Sequence, residues 1–189
     1  LECGAIVNAL ICDGEVAERL EAGQEGEIIL STTPFYAEMG GEVGDTGIIF
    51  AGESVARVLD TKAPEAGLTV HKVKIESGSF SVGEEVTASV DAKRRASIAR
   101  NHTCTHILHA ALREVLGAHV KQAGSYVGPD RLRFDFTHFE ALTPEQIAQV
   151  EELANSYIMQ AIPTTRYETS LDEARNSGVT ALFGEKYGE

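Results

Sequence analysis

The stretch Arg100-Asn101-His102-Thr103-Cys104-Thr105-His106 places two imidazoles four residues apart. On a helix such a pair lies on one face, one turn apart, and can share a metal ion. HxxxH alone is a common pattern, and solvent-facing or packed histidines are the competing reading. His109 falls on the same face three residues after His106. It could be a third ligand, a donor that orients a ligand, or the last polar residue of that face, and the last reading is favoured. Cys104 lies about 160° from His106 and about 200° from His102 around a helix, so it points away and reads as a packing residue. A catalytic zinc takes three protein ligands and keeps a fourth position open, so His102 and His106 supply half a site.

Two further stretches are candidates. Thr33 to Gly47 (TPFYAEMGGEVGDTG) is rich in glycine but lacks the GK[ST] ending of a phosphate loop. It reads as a barrel hairpin with turns at Gly40-Gly41 and Gly44-Asp45. Alternatively, Gly40 and Gly41 let backbone approach a ligand closely. His119 to Ser125 is polar, follows a helical stretch, and contains Lys121, Gln122 and Ser125. Alone it says only that a loop is there.

Net charge is −13, which by itself argues against nucleic acid. The charge is uneven, however. Residues 91 to 133 hold eight bases, Arg100 and Lys121 among them, against three acids. That zone is either a solvated helix face or a small footprint for a phosphate backbone.

The elements that must position these residues change character near residue 91. Residues 1 to about 90 carry short apolar or alternating runs at 27–31, 47–50, 55–59, 68–75 and 85–90. Glycines separate these runs, a spacing that predicts a small closed antiparallel barrel. Asp91 is a plausible helix cap, and Ile98, Ile107, Leu108, Ala111, Leu112, Val115 and Leu116 then recur at helical spacing up to Gly117. Asn101 could cap a second helix within that span, so one helix and two are both open. Leu132 to Phe136 alternates as a strand. Thr143-Pro144-Glu145-Gln146 starts a helix that runs to about Met159. A stretch from Pro163 reads as extended, and Ser170-Leu171-Asp172-Glu173 caps a short helix ending at Gly178. The fold class expected is α+β: a barrel domain over 1–92, then a domain over 93–189 with helices packed on a sheet.

Cys3, Cys12 and Cys104 form no CxxC pair, which argues against a disulfide framework and suits a reducing cytoplasm. Cys3 and Cys12 read as small buried residues in strands. No run of about 18 apolar residues is present, so no membrane is expected. The first residues, Leu1-Glu2-Cys3-Gly4, are neither a start methionine nor a signal peptide, and the chain reads as a segment of something longer.

Taken together these stretches resemble alanyl-tRNA synthetase. TPFYAE at 33–38 with Gly40-Gly41 and Val43-Gly44-Asp45-Thr46-Gly47 is similar to that family's barrel motif. Asn101-His102-Thr103, Thr105-His106 and Leu108 to Leu112 resemble its editing-helix motif. Gln122 with Gly124-Ser125, Arg133 to His138, and Ala181 to Gly188 follow in the family's order. The resemblance covers nearly the whole chain. Free-standing aminoacyl-tRNA deacylases share the fold and the HxxxH, but the long barrel and the Phe-Gly-Glu-Lys-Tyr-Gly run fit the synthetase better.

The resemblance implies a parent enzyme that joins alanine to its tRNA with ATP and Mg2+, in a region outside this chain. It implies an editing domain that hydrolyses Ser-tRNA(Ala) and Gly-tRNA(Ala), because a pocket rejects such neighbours by only about 1–3 kcal/mol. His102 and His106 match the first pair of Zn2+ ligands. A later Cys-x-x-x-His would lie beyond Glu189. Thr103 matches a hydroxyl that senses serine, and Gln122 a pocket residue tied to editing. Gly40, Gly41, Arg100 and Lys121 are the candidate contacts to alanine tRNA. Dimerisation in that family lies in a C-terminal region, so a homo-oligomer of the parent is not expected through this segment. Glu42 stands where the family usually has Gln, Met39 where it has a small residue, and Cys104 where it has Ala. A non-catalytic tRNA-binding module with structural zinc is the reading from another class.

Overall fold

A computed structural model of the chain describes residues 1–163, 165, 168–170 and 173. Nine strands precede the first helix: β1 (Glu2–Cys12), β2 (Glu15–Ala17), β3 (Arg19–Glu21), β4 (Glu25–Leu30), β5 (Gly47–Ala51), β6 (Ser54–Glu65), β7 (Leu68–Ser77), β8 (Ser79–Ser81) and β9 (Glu85–Val90). Six of them close in the order β1-β4-β7-β6-β5-β9 and back to β1, every pairing antiparallel. The expected barrel is therefore present. Closure removes the unpaired strand edges that an open sheet would expose.

β1 makes closure possible. Its first half pairs with β9 (Glu2↔Ser89 to Ile6↔Glu85), its second half with β4 (Val7↔Leu30 to Ile11↔Glu27), and its last three residues with β2. The register slips between Val7 and Ala9, which puts a bulge at Asn8. Cys3 and Cys12 both lie in β1 and pack, half-buried, against the core.

Period-two alternation aims one face of each strand inward. Val7, Leu10, Ile28, Ile49, Val58, Val73 and Ile75 are sealed from solvent. Burying one such side chain contributes roughly 1.5–3 kcal/mol. The small β3–β8 ladder adds Leu20 opposite Phe80, also sealed. One ring inside is polar: His71. Its Nδ1 lies 2.9 Å from the Ile28 carbonyl and its Nε2 lies 2.8 Å from Thr33 Oγ1. A carbonyl only accepts, so Nδ1 carries the hydrogen and Nε2 accepts from the hydroxyl. Burial pushes this imidazole below its ordinary value of 6.5, with the Ile28 bond opposing.

Helix α1 (Ala92–Leu116) is continuous, which resolves the choice between one helix and two. Asp91 caps it as expected: its Oδ1 accepts from the Arg94 N–H at 2.9 Å. Gly117 follows the last turn at φ +114. Strands β10 (Gln122–Val127) and β11 (Leu132–Phe136) form a two-stranded sheet. Helix α2 (Pro144–Met159) opens with a complete capping box between Thr143 and Gln146. The fold is thus α+β, mostly β.

The chain groups into two compact units, Leu1–His106 with Gly124–Phe134, and Ile107–Ala123 with Asp135 onward. The barrel lies whole within the first. In the second, Ala111, Leu112, Val120 and Val150 are buried, and Tyr157 donates its hydroxyl to Glu114. Of the short helix expected over 170–178, Ser170 and Glu173 are described, and the Glu173 N–H donates to Ser170 Oγ at 3.3 Å. The rest of that helix, most of the extended stretch after Pro163, and the motif at 181–188 lie outside the described residues.

Candidate functional site

The site is built on the first unit. Between β4 and β5 the chain runs through the glycine-rich stretch, which contains one tight turn. Met39 and Glu42 exchange both backbone hydrogen bonds, at 3.2 and 3.0 Å, around Gly40 (φ +61) and Gly41 (φ +88). Two consecutive positive φ values mark a primed two-residue turn, which glycine enters without strain. Gly41 has a second reason to be glycine: an added Cβ would sit 2.3 Å from the Ser125 carbonyl oxygen. The turn is pinned against β10 by Val127 N–H to Gly41 O (2.8 Å), Val43 N–H to Val127 O (3.0 Å) and Ser125 Oγ to Gly40 O (3.1 Å).

The second expected turn, Gly44-Asp45, is not formed. Asp45 is buried instead and ties the loop together. Its carboxylate accepts from the Tyr36 N–H at 2.7 Å, and its backbone carbonyl accepts from Thr61 Oγ1 at 2.9 Å. Its main partner is Arg95 in the first turn of α1, which donates Nε to Oδ1 at 2.7 Å while Nη2 pairs with Oδ2. Arg94 adds a bond from Nη1 to the Gly44 carbonyl at 2.8 Å. Three of the eight bases in the cationic zone are Lys93, Arg94 and Arg95, and two of those hold the protein's own loop.

Docked this way, α1 presents His102 and His106 on its exposed face. Their rings are nearly parallel, with centroids 5.2 Å apart and planes 19° from each other. Two imidazoles are donors of the kind Zn2+ takes. Among the described residues no group of three or more His, Cys, Asp or Glu is arranged to hold a metal ion. His102 has a partner from the barrel: Nδ1 bonds Glu42 Oε2. That carboxylate is 13% exposed, against 50% for the imidazole, so the acid sits deep and the histidine outward.

Thr103 is exposed beside the pair. Its hydroxyl donates back to the Ala99 carbonyl at 3.0 Å, which leaves the oxygen able to accept. Thr105, two residues on, is buried and makes the same kind of bond to Asn101. Cys104 is half-buried. Asn101 donates its amide to the Gly128 carbonyl at 2.7 Å, a second tie between α1 and the end of β10. Arg100 is exposed, and one guanidinium nitrogen reaches Ser97 Oγ at 2.9 Å. Gln122, half-buried, and Lys121, exposed, belong to the second unit, where the Lys121 carbonyl accepts from the Thr137 N–H at 3.0 Å. His109 also belongs there, its Nε2 lying 3.5 Å from the Val120 carbonyl.

His102 and His106 share one exposed helix face and Gly40-Gly41 forms a turn, both as the spacing predicts. Glu42, noted only as a departure from a pattern, and the Asp45–Arg95 pair were not predicted from the sequence. An acid inside a glycine-rich loop, followed by arginines in the next helix's first turn, was the available signal.

Residues 1–94 match the family model described as tRNA synthetases class II (A). The chain is 53% identical over 188 residues to an alanine–tRNA ligase of Acetivibrio thermocellus, covering 100% of this chain and 21% of that protein. It is 50% identical over 189 residues to one of Pelotomaculum thermopropionicum, covering 100% and 22%. It is 50% identical over 186 residues to one of Bordetella petrii, covering 98% and 21%. The chain belongs to the alanine–tRNA ligase family, and it spans about a fifth of the length of the curated relatives it matches.

Proposed function

We propose that this segment edits for an alanine–tRNA ligase, hydrolysing the ester that joins serine or glycine to alanine tRNA. The parent enzyme would use ATP and Mg2+ for ligation elsewhere in its chain, in the cytoplasm. The observation that carries the reading is the pair His102 and His106, side by side and exposed on a helix whose neighbouring Thr103 offers a hydroxyl oxygen.

In the reaction a water adds to the ester carbonyl carbon, the ribose oxygen leaves and takes a proton, and free amino acid and tRNA result. Zn2+ held by His102 and His106, with further ligands from outside the described residues, would supply a Lewis acid at that carbonyl or water. Thr103 distinguishes the substrates. With its own proton committed to Ala99, it accepts a hydrogen bond from the serine hydroxyl, and alanine has nothing to donate. Arg100 and Lys121 are exposed cations suited to phosphates of the tRNA. Gln122 would belong to the editing residues by resemblance alone.

The test is release of serine from serine-charged alanine tRNA by the full-length ligase, with and without His106→Ala. Loss of release in the variant is expected. Undiminished release would mean that the pair is not catalytic, leaving a module that binds tRNA around a structural metal.

A further inference from the structure

We propose that Glu42 is a positioning residue for the metal: by accepting the Nδ1 hydrogen of His102, it fixes that ring so that Nε2 is the atom offered to Zn2+. The proposal rests on the reading of His102 and His106 as metal ligands and adds a residue that the reading did not contain.

A carboxylate accepts only, so the hydrogen shared with Glu42 belongs to His102 Nδ1. In the neutral ring this leaves Nε2 with its lone pair, the form a metal needs. Histidine ligands commonly donate their other ring N–H to a carboxylate or carbonyl, and removing that partner typically costs 10–100-fold in metal affinity.

The rest of the structure is arranged to keep Glu42 in place. Its backbone is locked into the Met39–Glu42 turn by two hydrogen bonds. The turn is pinned to β10 by the bonds of Gly40, Gly41 and Val43. The carboxylate is nearly enclosed while its partner ring is half open to solvent. α1, which carries the ring, is held to the same loop by Arg94 and Arg95. Both ends of the Glu42–His102 bond are thus fixed by independent contacts, which is what orienting a ligand requires.

The test uses the 15N-labelled chain at a pH well above the ordinary imidazole value of about 6.5, with its signals assigned through His102→Ala. Long-range proton–nitrogen correlations report the tautomer, and competition with a chelator in the full-length ligase reports zinc affinity. The wild type should show His102 hydrogen on Nδ1. Glu42→Ala should shift it toward Nε2 and weaken zinc at least about tenfold. Glu42→Gln, whose amide oxygen still accepts from Nδ1, should keep the tautomer and hold zinc within about threefold. A wild-type ring protonated on Nε2, or zinc affinity indifferent to Glu42→Ala, overturns the proposal. His106→Ala separates the two levels. If it weakens zinc while Glu42→Ala does not, the metal reading survives and Glu42 is an ordinary structural contact. If it leaves zinc unchanged, the metal reading fails and takes this proposal with it.

Discussion

Arg95 grips Asp45 at two points, Nε on Oδ1 at 2.7 Å and Nη2 on Oδ2. The acid's side chain is 2% exposed and the arginine's 25%. Removing the cation would leave a buried carboxylate with only the Tyr36 N–H for company. Arg95→Ala should therefore destabilise the first unit by about 3 kcal/mol or more. Urea unfolding followed by far-UV circular dichroism checks this. Asp45→Asn, which keeps an acceptor for Tyr36, should cost less.

His71 gives the barrel a pH dependence. Burial lowers its folded value below 6.5, so the unfolded chain takes up a proton first as pH falls. Stability from this group is present in full above about pH 6.5 and is lost as pH drops below that, down to the folded value. Unfolding midpoints measured from about pH 7 to about pH 5 should fall. In His71→Gln, which can bond both Ile28 and Thr33 without charging, the slope should be shallower. An equal slope in both proteins would place the pH dependence in other groups.

Gly40 and Gly41 share positive φ but differ in surroundings. An added Cβ on Gly40 meets nothing within 4 Å, while on Gly41 it meets the Ser125 carbonyl at 2.3 Å. Gly40→Ala should cost about 1 kcal/mol from backbone strain alone. Gly41→Ala should cost about 2 kcal/mol more, because either the turn or β10 must move. Thermal melts of the two variants side by side test the difference.

Thr103→Val removes the acceptor offered to serine and keeps the side chain's shape. In the full-length ligase, serine release should fall roughly tenfold or more, while glycine release, which has no hydroxyl to sense, should change little. An unchanged ratio of serine to alanine hydrolysis would remove Thr103 from the discriminating role.

Arg100→Ala should weaken binding of alanine tRNA to the full-length ligase and reduce the salt slope by about 0.7–0.9 if it meets one phosphate. Binding measured over a range of salt concentrations reads this out. An unchanged slope would make Arg100 part of a solvated helix face.

Much of this architecture was legible. The strands 68–75 and 85–90 were readable because Val73, Ile75, Val86, Ala88 and Val90 alternate with polar residues. α2 was readable from its Thr143-Pro144 start. β1 was assigned only to the general β region. Its bulge at Asn8 breaks the alternation, and Ile6 faces solvent while small Ala5 is buried. Gly44-Asp45 looked like a turn because exposed turns and buried acid anchors use the same residue types. Only the arginine contributed by α1 separates them, and that contact joins residues 50 positions apart. Glu42 was invisible as a partner for the same reason, lying 60 positions from His102.

The barrel's seam sets an order of events. Glu2, near one end of β1, pairs with Ser89 in β9, and the Val90 N–H donates to the Leu1 carbonyl. The barrel's own first strand must therefore wait for its last before the cylinder can shut. Pairings between distant residues of this kind slow folding, because loop entropy is lost before contacts compensate. α1 begins two residues later, and Asp91 bonds Thr46 in the loop that precedes β5. Closing of the cylinder and seating of the histidine-bearing helix should then fall together in time, so a nascent chain released short of residue 90 would expose an open sheet edge.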